Sequence, residues 1–365
     1  MKITANMVTI ARIILLPLPA YLLYQGVPEL YYAFALIVFL GFTDWLDGIM
    51  ARKEGPTVLG GLLDPIADKI FIAVCFIPFS QRILPGMERV AFPLWMLIAM
   101  LTRDFVVTSL RTSLSVRGVP MRTSLLAKFK TAIQMTAAGY LIVIVISQLV
   151  NPKSMILSNL FFAVSAIPLV YIILSALFKK QRPGIRSLTM FSMTVLYAVI
   201  FKFADLNISL WVLAIVVSSI TVFSGFSYLA DAFTALKDKH GRAGEIFKYI
   251  LDGFLVPVFF LLPLGYSDSL TISFLVILAL TFEFAVGGLS NLLASKKKLI
   301  RLKWIALKGI LVILLAGASV FLFYMKPFSN HDTLASVLMS AAVAVSFINA
   351  VFMFVRHRFV YQNQL

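Results

Sequence analysis

The stretch LYYAFALIVFLGFTDWLDGIMARKEGPTVLGGLLDPIADKIFIAVCFIPFSQ, residues 30–81, decides the fold. It contains two apolar runs, 30–51 and 61–81, each near the ~20 residues that the hydrocarbon layer of a bilayer demands. A short basic turn, Arg52 to Leu59, joins them. The runs are continuous rather than alternating, which selects helices over the strands of a barrel. In lipid each helix then satisfies its own backbone polar groups.

The same pattern recurs outward to both ends. Of the 365 residues 61% are hydrophobic and only 13% charged, with a mean hydropathy of +0.96, far beyond the apolar share of a soluble domain. Twelve spanning helices are predicted, over 7–25, 30–51, 61–81, 91–115, 125–149, 154–178, 187–206, 209–235, 246–265, 269–293, 304–325 and 333–355. The fold class is an all-α integral membrane protein. The first run is of spanning length with no small-residue cleavage site after it, so it is expected to stay in place. Cys75, the one cysteine, lies mid-run and excludes a disulfide framework.

A net charge of +16 raises the question of nucleic acid, but the placement of the basic residues answers it. Arg82, Arg89, Lys153 and Lys326 alone fall in one set of loops. The alternate set takes Arg52, Lys53, the segment Arg117 to Lys130, Lys179, Lys180, Lys296 to Lys298 and Arg301, among others. The positive-inside rule therefore puts both termini in the cytoplasm, with the chain in the cytoplasmic membrane and no nucleic-acid partner. The excess can also attract anionic lipid headgroups.

Six predicted helices precede the connector Lys179-Lys180-Gln181-Arg182-Pro183-Gly184 and six follow it. That divides the chain into residues 1–180 and 181–365. Val38-Phe39-Leu40-Gly41-Phe42-Thr43-Asp44 can be laid on Val222-Phe223-Ser224-Gly225-Phe226-Ser227-Tyr228, and the same register places Asp231 on Asp47 and Asp252 on Asp68. After a shift of a few residues, Thr102-Arg103-Asp104-Phe105 faces Thr281-Phe282-Glu283-Phe284, and Lys130 faces Lys308. The second half reads as a degenerate repeat of the first. It has lost the charges that matter, since Asp44 becomes Tyr228 and Asp64 becomes Lys248, and a cation there opposes divalent metal.

Carboxylates inside a membrane are costly, so each marks a candidate site. Asp44 and Asp47, spaced i and i+3, project from one face near the end of the second helix. Asp64 and Asp68, spaced i and i+4, do the same at the start of the third. Without nearby cations such a cluster repels itself, and a hard ion, Mg²⁺ or Mn²⁺, relieves the repulsion. Gly48, Ala51 and Gly60 leave room for a substrate against the backbone. Arg52 offers a guanidinium for a phosphate oxygen. A second polar group follows in helices four and five, with Arg103, Asp104, Arg111, Lys128 and Lys130. Arg103 lies in an apolar run and is expected to face the bundle interior toward Asp104 or an anionic ligand.

The pattern Asp44-x2-Asp47-Gly48-x2-Ala51-Arg52, then Gly60-x3-Asp64-x3-Asp68, resembles the signature of the CDP-alcohol phosphotransferase family. Seven residues separate Arg52 from Gly60, one fewer than in many members, a difference confined to the connecting turn. The resemblance implies attack of an acceptor hydroxyl on the β-phosphoryl group of a CDP-linked lipid, with CMP expelled. It implies two metal ions on Asp44, Asp47, Asp64 and Asp68, with Asp68 also the general base. Asp47, Gly48, Ala51, Arg52 and Gly60 would line the cytidine-diphosphate pocket. Arg103-Asp104-x6-Arg111, Lys128-x-Lys130-Thr131, Asn6 to Arg12 and Leu63 to Lys69 resemble bacterial phosphatidylglycerophosphate synthases over the first half. That likeness implies CDP-diacylglycerol as donor and sn-glycerol 3-phosphate as acceptor, its phosphate held by Arg103, Arg111, Lys128 and Lys130. Serine or inositol phosphate are alternative acceptors. Family members are typically homodimers of six-helix units, so the second half is expected to stand in for a partner protomer, within a chain that can itself dimerise. A twelve-helix secondary transporter is the rival class. Against it, the four aspartates lie near one membrane face and in one half only.

Overall fold

The computed structural model describes residues 4–55, 57–81, 89–116, 125–150, 185–238, 251–296, 302–327 and 329–360. Helices account for nearly all of them, and no strand occurs among the described residues. The first predicted span is two helices, α1 (Ala5–Leu15) and α2 (Pro17–Leu22). Thr4 caps α1 by accepting the Met7 N–H at 3.4 Å. The break falls at Pro17, which has no N–H for the helical ladder but suits a first-turn position.

Helix α3 (Val27–Glu54) runs three residues beyond its predicted end. Its 28 residues extend roughly 42 Å, more than a hydrocarbon layer of about 30 Å, so its C-terminal turns reach past the apolar slab. Gly55 stops it, with φ +92° and its N–H bonded to the Ala51 carbonyl at 2.9 Å, a backbone state that side chains resist. Helix α4 (Val58–Gln81) begins almost at once. Thr57 caps it by accepting the Gly60 N–H at 2.9 Å. The turn between the two aspartate-bearing helices is thus shorter than the predicted Arg52 to Leu59.

The remaining helices among the described residues are α5 (Leu94–Val116), α6 (Leu125–Val150), α7 (Ile185–Phe203), α8 (Leu206–Asp238), α9 (Val256–Leu261), α10 (Leu270–Ser295), α11 (Leu302–Met325) and α12 (His331–Arg356). A π turn, Leu251–Leu255, leads into α9 and a 3-10 turn, Leu262–Gly265, leaves it. Among the described residues six stretches are long and apolar enough to cross a membrane: Ala5–Leu22, Phe129–Ser147, Asn207–Ala230, Leu270–Ser295, Leu307–Met325 and His331–Arg356. This is an all-helical membrane protein. Helices α4 and α5 are long enough too, but Asp64, Asp68 and Lys69 in one and Arg103, Asp104 and Arg111 in the other interrupt their apolar character. The predicted span 154–178 lies outside the described residues, as does the whole of the connector 179–184.

Helix α4 is the central column, buried at every residue from Ile70 to Gln81. It packs on α1, α2, α5, α6 and α10, so both halves of the chain meet around it. Helix α8 lies on α5 and α6, and α10 lies on α4 and α5. Where α5 and α10 meet, the Phe105 and Phe284 rings stack with centroids 3.8 Å apart, and the Thr108 methyl sits where a Gly287 Cβ would come within 3.2 Å. Each half also carries a buried ion pair between consecutive long helices: Lys130 to Asp104 at 2.7 Å and Lys308 to Glu283 at 2.7 Å.

Candidate active site

Three of the predicted carboxylates come together through α1, an element that sequence reasoning left without a role. The Thr9 hydroxyl lies 3.0 Å from Asp47 Oδ2 and 3.2 Å from Asp64 Oδ1, so one proton is shared between α3 and α4. One turn further along α1, Arg12 forms an ion pair with Asp44 and stands 3.5 Å from Asp47 Oδ2. Arg12 is buried, with 3% of its surface exposed. A lone guanidinium there would be prohibitive, and the aspartates offset its charge.

This corrects the expectation of a carboxylate cluster with no cation nearby. Arg12 neutralises part of the charge, and among the described residues no three carboxylate, imidazole or thiolate groups close on one point able to hold an ion. The donor set itself, carboxylate oxygens from facing helices, suits a hard divalent ion. Asp68, half-buried one turn beyond Asp64, lies within electrostatic reach of both Arg12 and Lys130.

A cavity of ≈ 380 Å³ opens beside Asp47 and Asp64, lined also by Ala5, Asn6, Thr9, Ala51, Gly55, Thr57, Gly60 and Gly61. It falls in the size range of small-molecule sites. Ala51 and Gly60 are where the sequence places them. A Cβ on Gly60, however, would meet Thr57 Oγ1 at 2.9 Å and Asn6 Oδ1 at 3.0 Å. The glycine therefore serves the cap of α4 as well as the cavity. Pro65, inside α4, offers no N–H to the carbonyl of Gly61, a residue that lines the cavity. The side chains of Gly48's neighbours Trp45, Leu46 and Ile49, Gly48 itself and the Arg52 side chain lie outside the described set.

In the second polar group the structure brings Arg103 and Lys130 onto Asp104 and sets Lys69 nearby. Asp104, 3% exposed, is its hub. Lys130 Nζ donates to both its carboxylate oxygens, at 2.7 and 2.8 Å, and Arg103 Nη1 donates at 2.8 Å. Lys69, next to Asp68 in the chain, donates to Thr108 Oγ1 at 2.6 Å and lies within the electrostatic reach of Asp104, Lys130, Arg111 and Arg103. Arg111 is half-buried on the same helix. The Lys128 side chain lies outside the described residues. Three cations, Lys130, Arg103 and Lys69, thus act on one carboxylate, with Arg111 in electrostatic reach of Lys69, and the surplus of positive charge suits an anionic group.

A model of the CDP-alcohol phosphatidyltransferase family matches residues 2–182. Over 151 residues the chain is 32% identical to the CDP-diacylglycerol–glycerol-3-phosphate 3-phosphatidyltransferase of Bacillus subtilis (strain 168), covering 38% of this chain and 75% of the relative. The chain belongs to the CDP-alcohol phosphatidyltransferase family. The enzyme of the same description from Rickettsia bellii (strain RML369-C) is 35% identical over 147 residues, 39% of this chain and 77% of the relative. A probable phosphatidylglycerophosphate synthase of Mycobacterium tuberculosis (strain CDC 1551 / Oshkosh) is 34% identical over 140 residues, 37% of this chain and 63% of the relative. No solved structure matches. Both polar groups lie within the part of the chain that the family model covers.

Proposed function

We propose that the chain transfers a phosphatidyl group from CDP-diacylglycerol to sn-glycerol 3-phosphate, releasing CMP, at the cytoplasmic face of the cytoplasmic membrane. The observation that carries this reading is the position of Asp68. It lies one turn beyond Asp64, which lines the cavity, and next in the chain to Lys69 of the cationic group, with Arg12 and Lys130 both within electrostatic reach. A donor diphosphate and an acceptor phosphate would therefore meet at a carboxylate able to take a proton.

The cavity lined by Ala51, Gly60 and Gly61 receives the cytidine diphosphate. The acceptor phosphate rests against Arg103, Arg111, Lys130 and Lys69, as a doubly charged anion among surplus cations. Lys128 adds to that field on the same reading. The acceptor hydroxyl then attacks the β-phosphorus, the bond from that phosphorus to the CMP oxygen breaks, and the hydroxyl proton passes to the Asp68 carboxylate. Two Mg²⁺ or Mn²⁺ ions held by Asp44, Asp47, Asp64 and Asp68 would offset the diphosphate charge and stabilise departing CMP. Arg12 yields Asp44 and Asp47 for that purpose, while Thr9 keeps Asp47 and Asp64 in register. The second half takes the place of a partner protomer, without a reaction centre of its own.

The test uses purified full-length protein, labelled CDP-diacylglycerol and a panel of acceptors: glycerol 3-phosphate, serine and inositol phosphate. CMP release and a phosphatidylglycerophosphate product are expected with glycerol 3-phosphate. Asp68→Asn should lose on the order of 10²-fold or more in rate. Undiminished CMP release by that variant sinks the assignment of the base, and a product built on another alcohol replaces the acceptor.

A further inference from the structure

The matched family region ends at residue 182, yet the cationic group is completed by residues beyond it. Arg103 Nη2 donates to Ser224 Oγ at 2.8 Å, across from α5 to α8. Ser224 is fully buried, and its own proton goes to the Thr221 carbonyl at 2.7 Å. Its lone pairs are thereby left for the guanidinium. Gly225, next along, lies so close that a Cβ there would meet Arg103 Cγ at 3.0 Å and Nε at 3.2 Å. One turn on, the buried Tyr228 ring lies 5.6 Å from the guanidinium carbon. The contacts fix the side chain from three directions, together with the Asp104 bond. Arg103 Nε is buried against Gly225, with no hydrogen-bond partner among the described residues. On the other flank, α10 sets the Phe284 ring 4.7 Å beneath Lys69 Nζ.

We propose that Ser224, Gly225 and Tyr228 of the second half are positioning residues for acceptor recognition, holding the Arg103 guanidinium in the orientation that receives the acceptor phosphate. The inference rests on the acceptor role given to Arg103 above. In the register that lays the halves on one another, Tyr228 occupies the place of Asp44. The loss of a carboxylate there is then an exchange of function: an aromatic face supports a cation of the other half. An Arg held by a buried acceptor and a ring loses little freedom on binding a phosphate, which favours acceptor affinity more than turnover.

The experiment compares full-length wild type with Ser224→Ala, Gly225→Ala, Tyr228→Leu and Tyr228→Phe, measuring kcat and separate KM values for glycerol 3-phosphate and CDP-diacylglycerol. Ser224→Ala, Gly225→Ala and Tyr228→Leu are expected to raise the acceptor KM roughly 5- to 30-fold. Their CDP-diacylglycerol KM should stay within about twofold of wild type. Tyr228→Phe, which keeps the ring, should return the acceptor KM to near the wild-type value. Unchanged acceptor KM in all three, or a parallel fall in affinity for both substrates, overturns the proposal. If wild type uses a different acceptor, the glycerol 3-phosphate reading fails by itself, and the same split measured on the acceptor it does use decides this one.

Discussion

Arg12 shows what a single residue can hide. It is buried in an apolar helix and paired with carboxylates on another helix more than thirty positions away. The four aspartates were legible because their spacing repeats on helix faces, and Arg103 because a charge in an apolar run demands a partner. The same demand applies to Arg12, and applying it would have found this residue. Its partners could not be named, because nothing local in sequence says which helices meet. Lys69 was missed for the same reason, since its contacts with Thr108 and Phe284 come from helices distant in the chain. A prediction follows from the shared charge. Arg12→Ala leaves Asp44 and Asp47 without their cation, and breaking a buried pair from one side costs about 3–5 kcal/mol. A divalent ion at those carboxylates would offset the loss by binding the folded state. In a thermal-unfolding assay, Arg12→Ala is expected to melt well below wild type in EDTA and to gain more from added Mg²⁺ or Mn²⁺ than wild type gains. Equal gains in both proteins would show that Arg12 and the ion do not share a place.

At the scale of elements, apolar length predicted most helices well and their interruptions poorly. Pro17 splits the first span because a missing N–H outweighs a continuous apolar run. The π turn before α9 falls on Leu251-Asp252-Gly253-Phe254-Leu255, where Asp-Gly is a breaker signal that the apolar length around it overrode in the reading of 246–265 as one helix. Helix-to-helix joints were partly legible. Facing Lys130 with Lys308 and Asp104 with Glu283 came from sequence alone, and Lys130 with Asp104, like Lys308 with Glu283, forms a buried bridge between long helices. In α10 to α12 the bridge is completed by Ser346, which donates to Glu283 at 2.6 Å. Lys308→Ala leaves Glu283 buried without its counter-charge, an expected loss of about 3–5 kcal/mol. The double variant Glu283→Leu with Lys308→Met removes both charges and should recover most of the stability, because a matched apolar pair need not pay desolvation. Chemical or thermal unfolding of the three proteins checks this. A double variant as unstable as Lys308→Ala would mean that the charges act separately, through partners other than each other.

For the whole molecule, the question is why a family domain of about half the chain is joined to a second set of helices. The seam between them is built like an interior. Phe105 stacks on Phe284, Gln81 reaches the Ser267 and Ser269 carbonyls, Tyr24 bonds Ser273, and Gln134 donates to Thr221 at 3.2 Å. A division at residues 179–184, expected from the sequence and outside the described residues, says nothing of this seam, because pairing across it depends on which faces of α4, α5 and α6 are left uncovered by the first half. Those faces carry Arg103, Lys69 and Gln134, polar groups whose partners lie partly in α8 and α10. A fragment of residues 1–184 would expose them to lipid or detergent, and unsatisfied polar groups in an apolar medium are costly. Expressed alone, a monomeric fragment is expected to unfold at lower temperature than the full chain and to release CMP at least about tenfold more slowly, the consequence of losing charged-group hydrogen bonds at the acceptor side. Co-expression with residues 185–365 should restore both. If the fragment instead recovers activity only as it self-associates, a second copy is covering the seam, which supports the pseudo-protomer reading. A fragment that remains monomeric, stable and fully active would show that the second half contributes nothing to the reaction centre.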